Sequence, residues 1–225
     1  MRLKLVIFDV DGTLVDSQDL IVEAMRMAFE GQGLLPPSRT DTLGIVGLSL
    51  DVAIFKLFPE GEPDLRARLV DGYKAGYMHH RAAVGAAKSS PFFDGAYQML
   101  ARLHARDDVL LGIATGKSRR GVDKLIEGHE LRGMFVTTQV ADDHPSKPHP
   151  SMIETAIAET GVTKADTVMI GDTSYDMDMA AAAGVHGIGV AWGYHPVADL
   201  GKAHTVVNDF EALQRALDTL WERQS

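Results

Sequence analysis

The chain has 225 residues, 45% hydrophobic and 24% charged, enough apolar material for a full core and far from the composition of a disordered segment. Its 31 acids against 22 Lys and Arg leave a formal net charge of −9, which disfavours nucleic acid and anionic lipid as partners and requires a local positive site for any anionic ligand. The lack of Cys excludes disulfides, a thiolate nucleophile and Cys-bound zinc or iron–sulfur centres.

The first segment, Lys4 to Val10, is a short Val/Ile/Leu run without polar alternation, as expected of a strand buried on both faces. Two acids and Gly follow at once, with no small-residue cleavage site, so the run reads as a strand and not a signal peptide. No apolar stretch reaches the roughly 18 residues of a membrane span, and a cytoplasmic location is expected.

From Val15 to Ser89 apolar residues recur at helical spacing: Leu20, Ala24, Met27 and Ala28, then Val52, Phe55 and Leu57, then Leu65, Leu69 and Tyr73. Pro36-Pro37, Pro59 to Pro63 and Pro91 break this stretch into about four helices. Further buried strands are expected at Val109 to Ala114, Thr167 to Ile170, Gly187 to Ala191 and Thr205 to Val207. Helices are expected from about Tyr175 to Ala183, stopped by Gly184, and from about Asp209 to Trp221. This alternation predicts an α/β fold with a doubly wound parallel, Rossmann-like sheet core (1–14 and 90–225), its ligands at the carboxyl ends of the strands, and an inserted all-helical module (15–89). No segment specifies an oligomeric state.

Three strands end in chemistry-bearing clusters. Phe8 to Ser17 reads FDVDGTLVDS and delivers two carboxylates, Asp9 and Asp11, into a Gly-bearing turn. Like charges two residues apart on a strand share a side, so one pKa rises or a hard divalent cation such as Mg²⁺ sits between them. Ala114-Thr115-Gly116-Lys117-Ser118 offers a hydroxyl and backbone amides at a helix start, which suit phosphate oxygens. Gly171-Asp172-Thr-Ser-Tyr-Asp176 places a carboxylate at the end of another strand and a second one four residues on. Lys147 lies in the rigid loop Pro145-Ser-Lys-Pro-His-Pro150. A phosphate dianion cannot approach Asp9, Asp11, Asp172 and Asp176 unaided, since each like-charge pair near 4 Å costs about 1–4 kcal/mol. Mg²⁺ and Lys147 are the available compensation.

These four strings, in this order, resemble the haloacid dehalogenase-like hydrolase superfamily, in particular its phosphoglycolate-phosphatase-like members with a helical cap. The resemblance covers essentially the whole chain. It implies hydrolysis of a small phosphorylated metabolite of the phosphoglycolate type, with Asp9 as nucleophile and Asp11 as acid and base. It further implies that Thr115, Gly116 and Lys147 hold the phosphoryl group, that Mg²⁺ is held by Asp9, the Asp11 backbone carbonyl and Asp172, and that Asp176 stands behind those ligands. Dehalogenases of the superfamily usually carry Tyr, and phosphonate hydrolases Ala, two places after the nucleophile. Asp11 at that place favours ester chemistry. Sugar-phosphate mutases of the superfamily share Asp11 and stay open as an alternative, although no cap segment here clearly matches theirs. A phospho-accepting switch resembling receiver domains is the alternative outside enzymes, but such domains are about half this length and lack a helical insertion.

Other strings carry less. Lys117, directly after Thr115-Gly116, is a candidate substrate contact, and Gly44 and Gly47 are candidates to lie over the site. Gly187 to Gly193 imitates a dinucleotide fingerprint with its last Gly one place late. Asp142, Asp143, His144 and His149 resemble a metal cluster but, in a Pro-rich loop without helical or hairpin spacing, read as solvent-facing polar residues; His79-His80-Arg81 are candidates to touch a substrate's acidic tail, with surface placement the favoured reading.

Overall fold

The computed structural model describes residues 2–222. Six parallel strands form one sheet: β1 (Lys4–Phe8), β2 (Val109–Thr115), β3 (Phe135–Val140), β4 (Thr167–Gly171), β5 (His186–Val190) and β6 (Thr205–Val207), in the order β3-β2-β1-β4-β5-β6. The strand order reverses at β1, which pairs with β2 on one side and β4 on the other. The crevice outside that switch point is where such sheets place ligands. The near-continuous apolar runs of β1 and β4 follow from burial on both faces. Val6 and Phe8 pack with α6 (Ala96–His104), α7 (Arg119–Gly128) and α10 (Phe210–Glu222), whereas Leu5 and Ile7 pack with α8 (Ser151–Thr160) and α9 (Ser174–Ala183).

The stretch between β1 and α6 is helical: α1 (Gln18–Glu30), α2 (Arg39–Leu43), α3 (Leu50–Leu57), α4 (Pro63–Val84) and α5 (Ala86–Ser89). It has a core of its own, built on Met25, Phe29, Ile45, Ile54 and Leu69. Gly72 lets α4 approach α1 closely, since a Cβ there would stand 3.2 Å from the Ala28 Cα. The chain leaves and re-enters the sheet side by side. Val15 bridges Phe92 in antiparallel fashion, the Asp16 amide donates to Pro91 O at 2.8 Å, and the Phe93 amide donates to Leu14 O at 3.0 Å.

The strands expected from sequence are present within two residues at each end. β3 was not among the expectations, because Thr137 and Gln139 interrupt its apolar pattern. Both are nevertheless buried, tied to Glu159 and, through Gln139, to His144. The helical stretch holds five helices where about four were expected, two of them only four or five residues long. In α3 the buried pair is Ala53 and Ile54, while Val52 and Phe55 face outward, so that apolar spacing pointed to the wrong side of the helix. β5 ends at Val190 and the chain passes through Gly193 to a short 3₁₀ turn at Val197–Asp199, which leaves no helix to complete a dinucleotide fingerprint.

Candidate active site

Asp9 follows β1 directly, and its amide donates to Ile170 O of β4 at 2.9 Å, which fixes it at the switch point. Its carboxylate is buried, and neither oxygen has a hydrogen-bond partner. Lys147 reaches it only as an ion pair, with Nζ 3.0 Å from Asp9 Oδ1 and 2.6 Å from Asp176 Oδ1. Asp176 is otherwise occupied, because its Oδ2 accepts the amide and hydroxyl of Thr173 in a capping box that starts α9. Asp172, at the end of β4, accepts the Thr13 hydroxyl on Oδ1 and the Tyr194 amide on Oδ2, both at 2.8 Å. Gly12 and Gly193 make room for it, since a Cβ at either would fall 2.2 or 2.1 Å from an Asp172 side-chain atom. Gly12 also adopts a φ of +86°, which side chains rarely tolerate.

Carboxylate oxygens of Asp9, Asp172 and Asp176 lie within 4.8 Å of one another, the group among the described residues arranged to hold a metal ion. Burial, opposed by Lys147 and reinforced by Asp176 and Asp11, pushes the Asp9 carboxyl from 3.8 up to about 6. Burial, together with Asp176 and Asp9, likewise raises Asp172 well above the carboxylate range. Burial works against the charge of Lys147, but Asp176 and Asp9 outweigh it and raise its pKa. The cluster is thus short of positive charge, with one lysine for three buried carboxylates and no hydrogen bond to either Asp9 oxygen. Hard oxygen donors in that state fit a divalent cation such as Mg²⁺.

Asp11 stands apart from this cluster. Lys117 Nζ donates to its two carboxylate oxygens at 2.7 and 2.6 Å, and the Ser17 hydroxyl donates to Oδ1 at 2.5 Å. Strand alternation suggested two carboxylates bracketing one ion. The chain instead turns at Gly12, and Asp11 acquires its own cation. Lys117, expected as a substrate contact, lines the cavity but is engaged with Asp11 and lies 5.4 Å from the centroid of the Tyr77 ring. Asp11 and Tyr77 raise its pKa against the opposing effect of burial.

Above these residues opens a cavity of about 680 Å³, lined by Asp9, Asp11, Thr115, Gly116 and Lys117 from the sheet side and by Gly47, Leu48, Tyr73 and Tyr77 from the helical insertion. Gly116 lies close beneath the insertion: a Cβ there would meet the carbonyl oxygens of Gly47 and Leu48 at 2.6 Å. The Tyr175 hydroxyl donates to Gly44 O at 2.9 Å, and the Ser49 amide to Ser146 Oγ at 2.9 Å. Gly47 therefore sits over the site, while Gly44 ties the insertion to α9.

The acids and histidines near residue 144 form no metal cluster. Asp142 accepts the Arg119 amide, Asp143 pairs with Arg119, His144 bonds Ser151 and Gln139, and His149 accepts the Ser151 amide. His79 is exposed, but Arg81 lines the cavity, contrary to the solvent-facing reading. Ser17, Thr13 and Tyr194 were missed as partners of the site. Ser17 and Thr13 lie inside the FDVDGTLVDS string, where a polar residue was a visible signal. Tyr194 comes from a loop with no motif.

Comparison with known proteins shows the family. Residues 6–190 match the family model described as haloacid dehalogenase-like hydrolase. The chain is 33% identical to "Probable phosphatase IndB" of Dickeya dadantii over 98% of this chain and 96% of that one. It is 27% identical to a phosphoglycolate phosphatase of Aliivibrio fischeri over 96% of each. A hydrolase from Pseudomonas syringae has the same fold, with a TM-score of 0.83 at 23% identity over 96% of this chain and 98% of that one. With the acid cluster at the switch point, the buried lysine and a family match spanning most of its length, the chain belongs to the haloacid dehalogenase-like hydrolase family.

Proposed function

We propose that the chain is a Mg²⁺-dependent phosphatase of small phosphorylated metabolites that works through an aspartyl-phosphate on Asp9. The observation that carries this reading is the Asp9 carboxylate, buried at the cavity floor and met only by the Lys147 ion pair, with no hydrogen bond to either oxygen, while every neighbouring acid is hydrogen-bonded. Asp9 and Asp172 are the residues to hold the cation, with the Asp11 backbone carbonyl as a third ligand and Asp176 behind them. When bound, the cation offsets the negative charge that Asp9, Asp172 and the phosphate dianion share.

Thr115, the Gly116 amide and Lys147 hold the phosphoryl oxygens. An Asp9 oxygen attacks phosphorus, the P–O bond to the leaving group breaks, and Asp11, which has to part from Lys117 and take up a proton before this step, gives that proton to the departing oxygen. Asp11, now a carboxylate, then takes a proton from water as that water attacks phosphorus. The Asp9–phosphorus bond breaks, and inorganic phosphate leaves with Asp9 regenerated. The helical insertion of 15–89 acts as the cap that shields the intermediate from premature hydrolysis.

The test is a panel of phosphate esters, including phosphoglycolate, hexose phosphates, nucleotides and pyrophosphate, with Mg²⁺ and then with chelator. Phosphate release that stops with chelator and is lost in Asp9→Asn is expected. Full activity without metal, or wild-type turnover in Asp9→Asn, overturns the reading. A single long-lived phosphorylation per chain marks a switch protein, and a phosphate moved within a sugar marks a mutase.

A further inference from the structure

The cavity is larger than its floor chemistry requires. A two-carbon phosphate ester displaces about five waters of about 30 Å³ each, a small part of the roughly 680 Å³ available. Cavities of about 300–1,000 Å³ take ligands of many more atoms. The walls are also ordered. Nearest the acids stand Lys117 and the Tyr77 ring, and the sides are apolar, with Ile21, Met25, Ile45 and Val70 among them.

Further along the chain on each flank, α4 and α7 each add an arginine to the lining of the same cavity. Arg81 follows Tyr77 by four residues on α4, about 6 Å along the axis, and Arg120 opens the first turn of α7 three residues after Lys117. The two helices meet here, since Arg81, Tyr77, Lys117 and Gly121 also line one smaller adjoining recess. Neither Arg81 nor Arg120 has a carboxylate within 4.0 Å among the described residues, although Arg81 lies near enough to Glu127 and His129 to add to the lowering of their pKa values, behind Lys124 for the first and burial for the second, in a protein whose net charge is −9. Away from the floor the lining holds two acids, Asp142, which accepts the Arg119 amide, and Asp51 in the first turn of α3, against Lys74, Arg81, Arg120 and Lys124.

Resting on the phosphatase reading of this site, we propose that the substrate carries a second anionic group beyond an apolar body, and that Arg81 and Arg120 form the subsite receiving that group. Either a carboxylate or a phosphate suits two guanidiniums. Two-carbon esters place their second charge too near the floor to reach this subsite, so the preferred substrate is longer than phosphoglycolate.

The test compares phenyl phosphate, 4-(carboxymethyl)phenyl phosphate, 4-(phosphonomethyl)phenyl phosphate and phosphoglycolate on wild type and on Arg81→Gln, Arg120→Gln and the double variant, with Mg²⁺. The methylene keeps the three aryl leaving groups similar, so differences report binding. Wild type is expected to favour at least one of the two extended esters over phenyl phosphate by about tenfold in kcat/KM, chiefly through KM. In the double variant, that preference falls to about twofold or less, and high salt lowers it in wild type. Whether the carboxylate or the phosphonate gains more identifies the distal group. A wild type that turns over phenyl phosphate without preferring either extended ester removes the subsite and leaves the phosphatase reading intact. So does a preference that survives the double variant, or phosphoglycolate as the best of the four. Failure on all four esters takes both readings down.

Discussion

Lys147 is fully buried between two carboxylates, an arrangement that dictates opposite outcomes for two substitutions in direct contact. Lys147→Met leaves Asp9 and Asp176 in the interior without their cation, and loss of one partner of a buried pair costs about 3–5 kcal/mol. Asp9→Asn removes a charge whose ionised form burial already disfavours, and is expected to melt within about 1 kcal/mol of wild type in urea while losing activity. Equal stability of Lys147→Met and wild type in metal-free buffer would contradict the ion-pair arrangement. The sequence made Asp9, Asp172 and Lys147 visible because buried strands and a proline-bound loop leave such groups little freedom. It did not show that Lys117 holds Asp11, because that contact spans 106 positions and depends on the turn at Gly12. Asp11→Asn should then hurt alkyl phosphates far more than aryl phosphates, whose leaving groups need less protonation. Equal kcat losses on the two classes would remove Asp11 from the acid role.

Where the helical insertion meets the sheet, backbone lies on backbone, and glycine sets the spacing. A methyl on Gly116 would press on the Gly47 and Leu48 carbonyls at 2.6 Å, and neither peptide can yield as a flexible side chain would. Gly116→Ala is therefore expected to lower kcat/KM at least tenfold by displacing the 44–49 turn from over Asp9. Its far-ultraviolet circular dichroism should stay like that of wild type. Wild-type kcat/KM in this variant would show that the turn does not need its present position. The helices of the insertion were legible from spacing in α1, where Leu20, Ala24 and Ala28 are buried as the pattern implied. In α3 they were not, because eight residues with six apolar side chains around the axis define no unique face. β3 escaped notice for the complementary reason: its polar residues satisfy one another and Glu159 inside the protein, so an edge strand could be buried without an apolar sequence.

Over the whole molecule two sets of titrating groups pull stability in opposite directions with pH. His129, His144, His186 and His195 each have a pKa lowered chiefly by burial. Their unfolded forms bind protons more readily, so the stability they contribute is present above about 6.5 and is lost as pH falls through their folded values. Asp9 has the opposite sign, because its raised folded value favours the protonated native state. Its contribution is present below 3.8 and is lost as pH rises through about 6. Asp172 shifts in the same direction as Asp9. In metal-free protein these effects partly cancel between pH 4 and 6.5. A cation bound at Asp9 must displace its proton below about pH 6 and need not at pH 7, so its stabilisation has to grow with pH. At about 100 times its Kd a ligand adds about 2.7 kcal/mol, which for a chain of this size is a Tm increase of about 5–10 °C. Melts with and without Mg²⁺ are expected to show that increase at pH 7, about half of it at pH 5, and a much reduced increase at both in Asp9→Asn. Equal shifts at the two pH values, or an undiminished shift in Asp9→Asn, would mean that the ion binds somewhere other than the carboxylates at the end of β1 and β4.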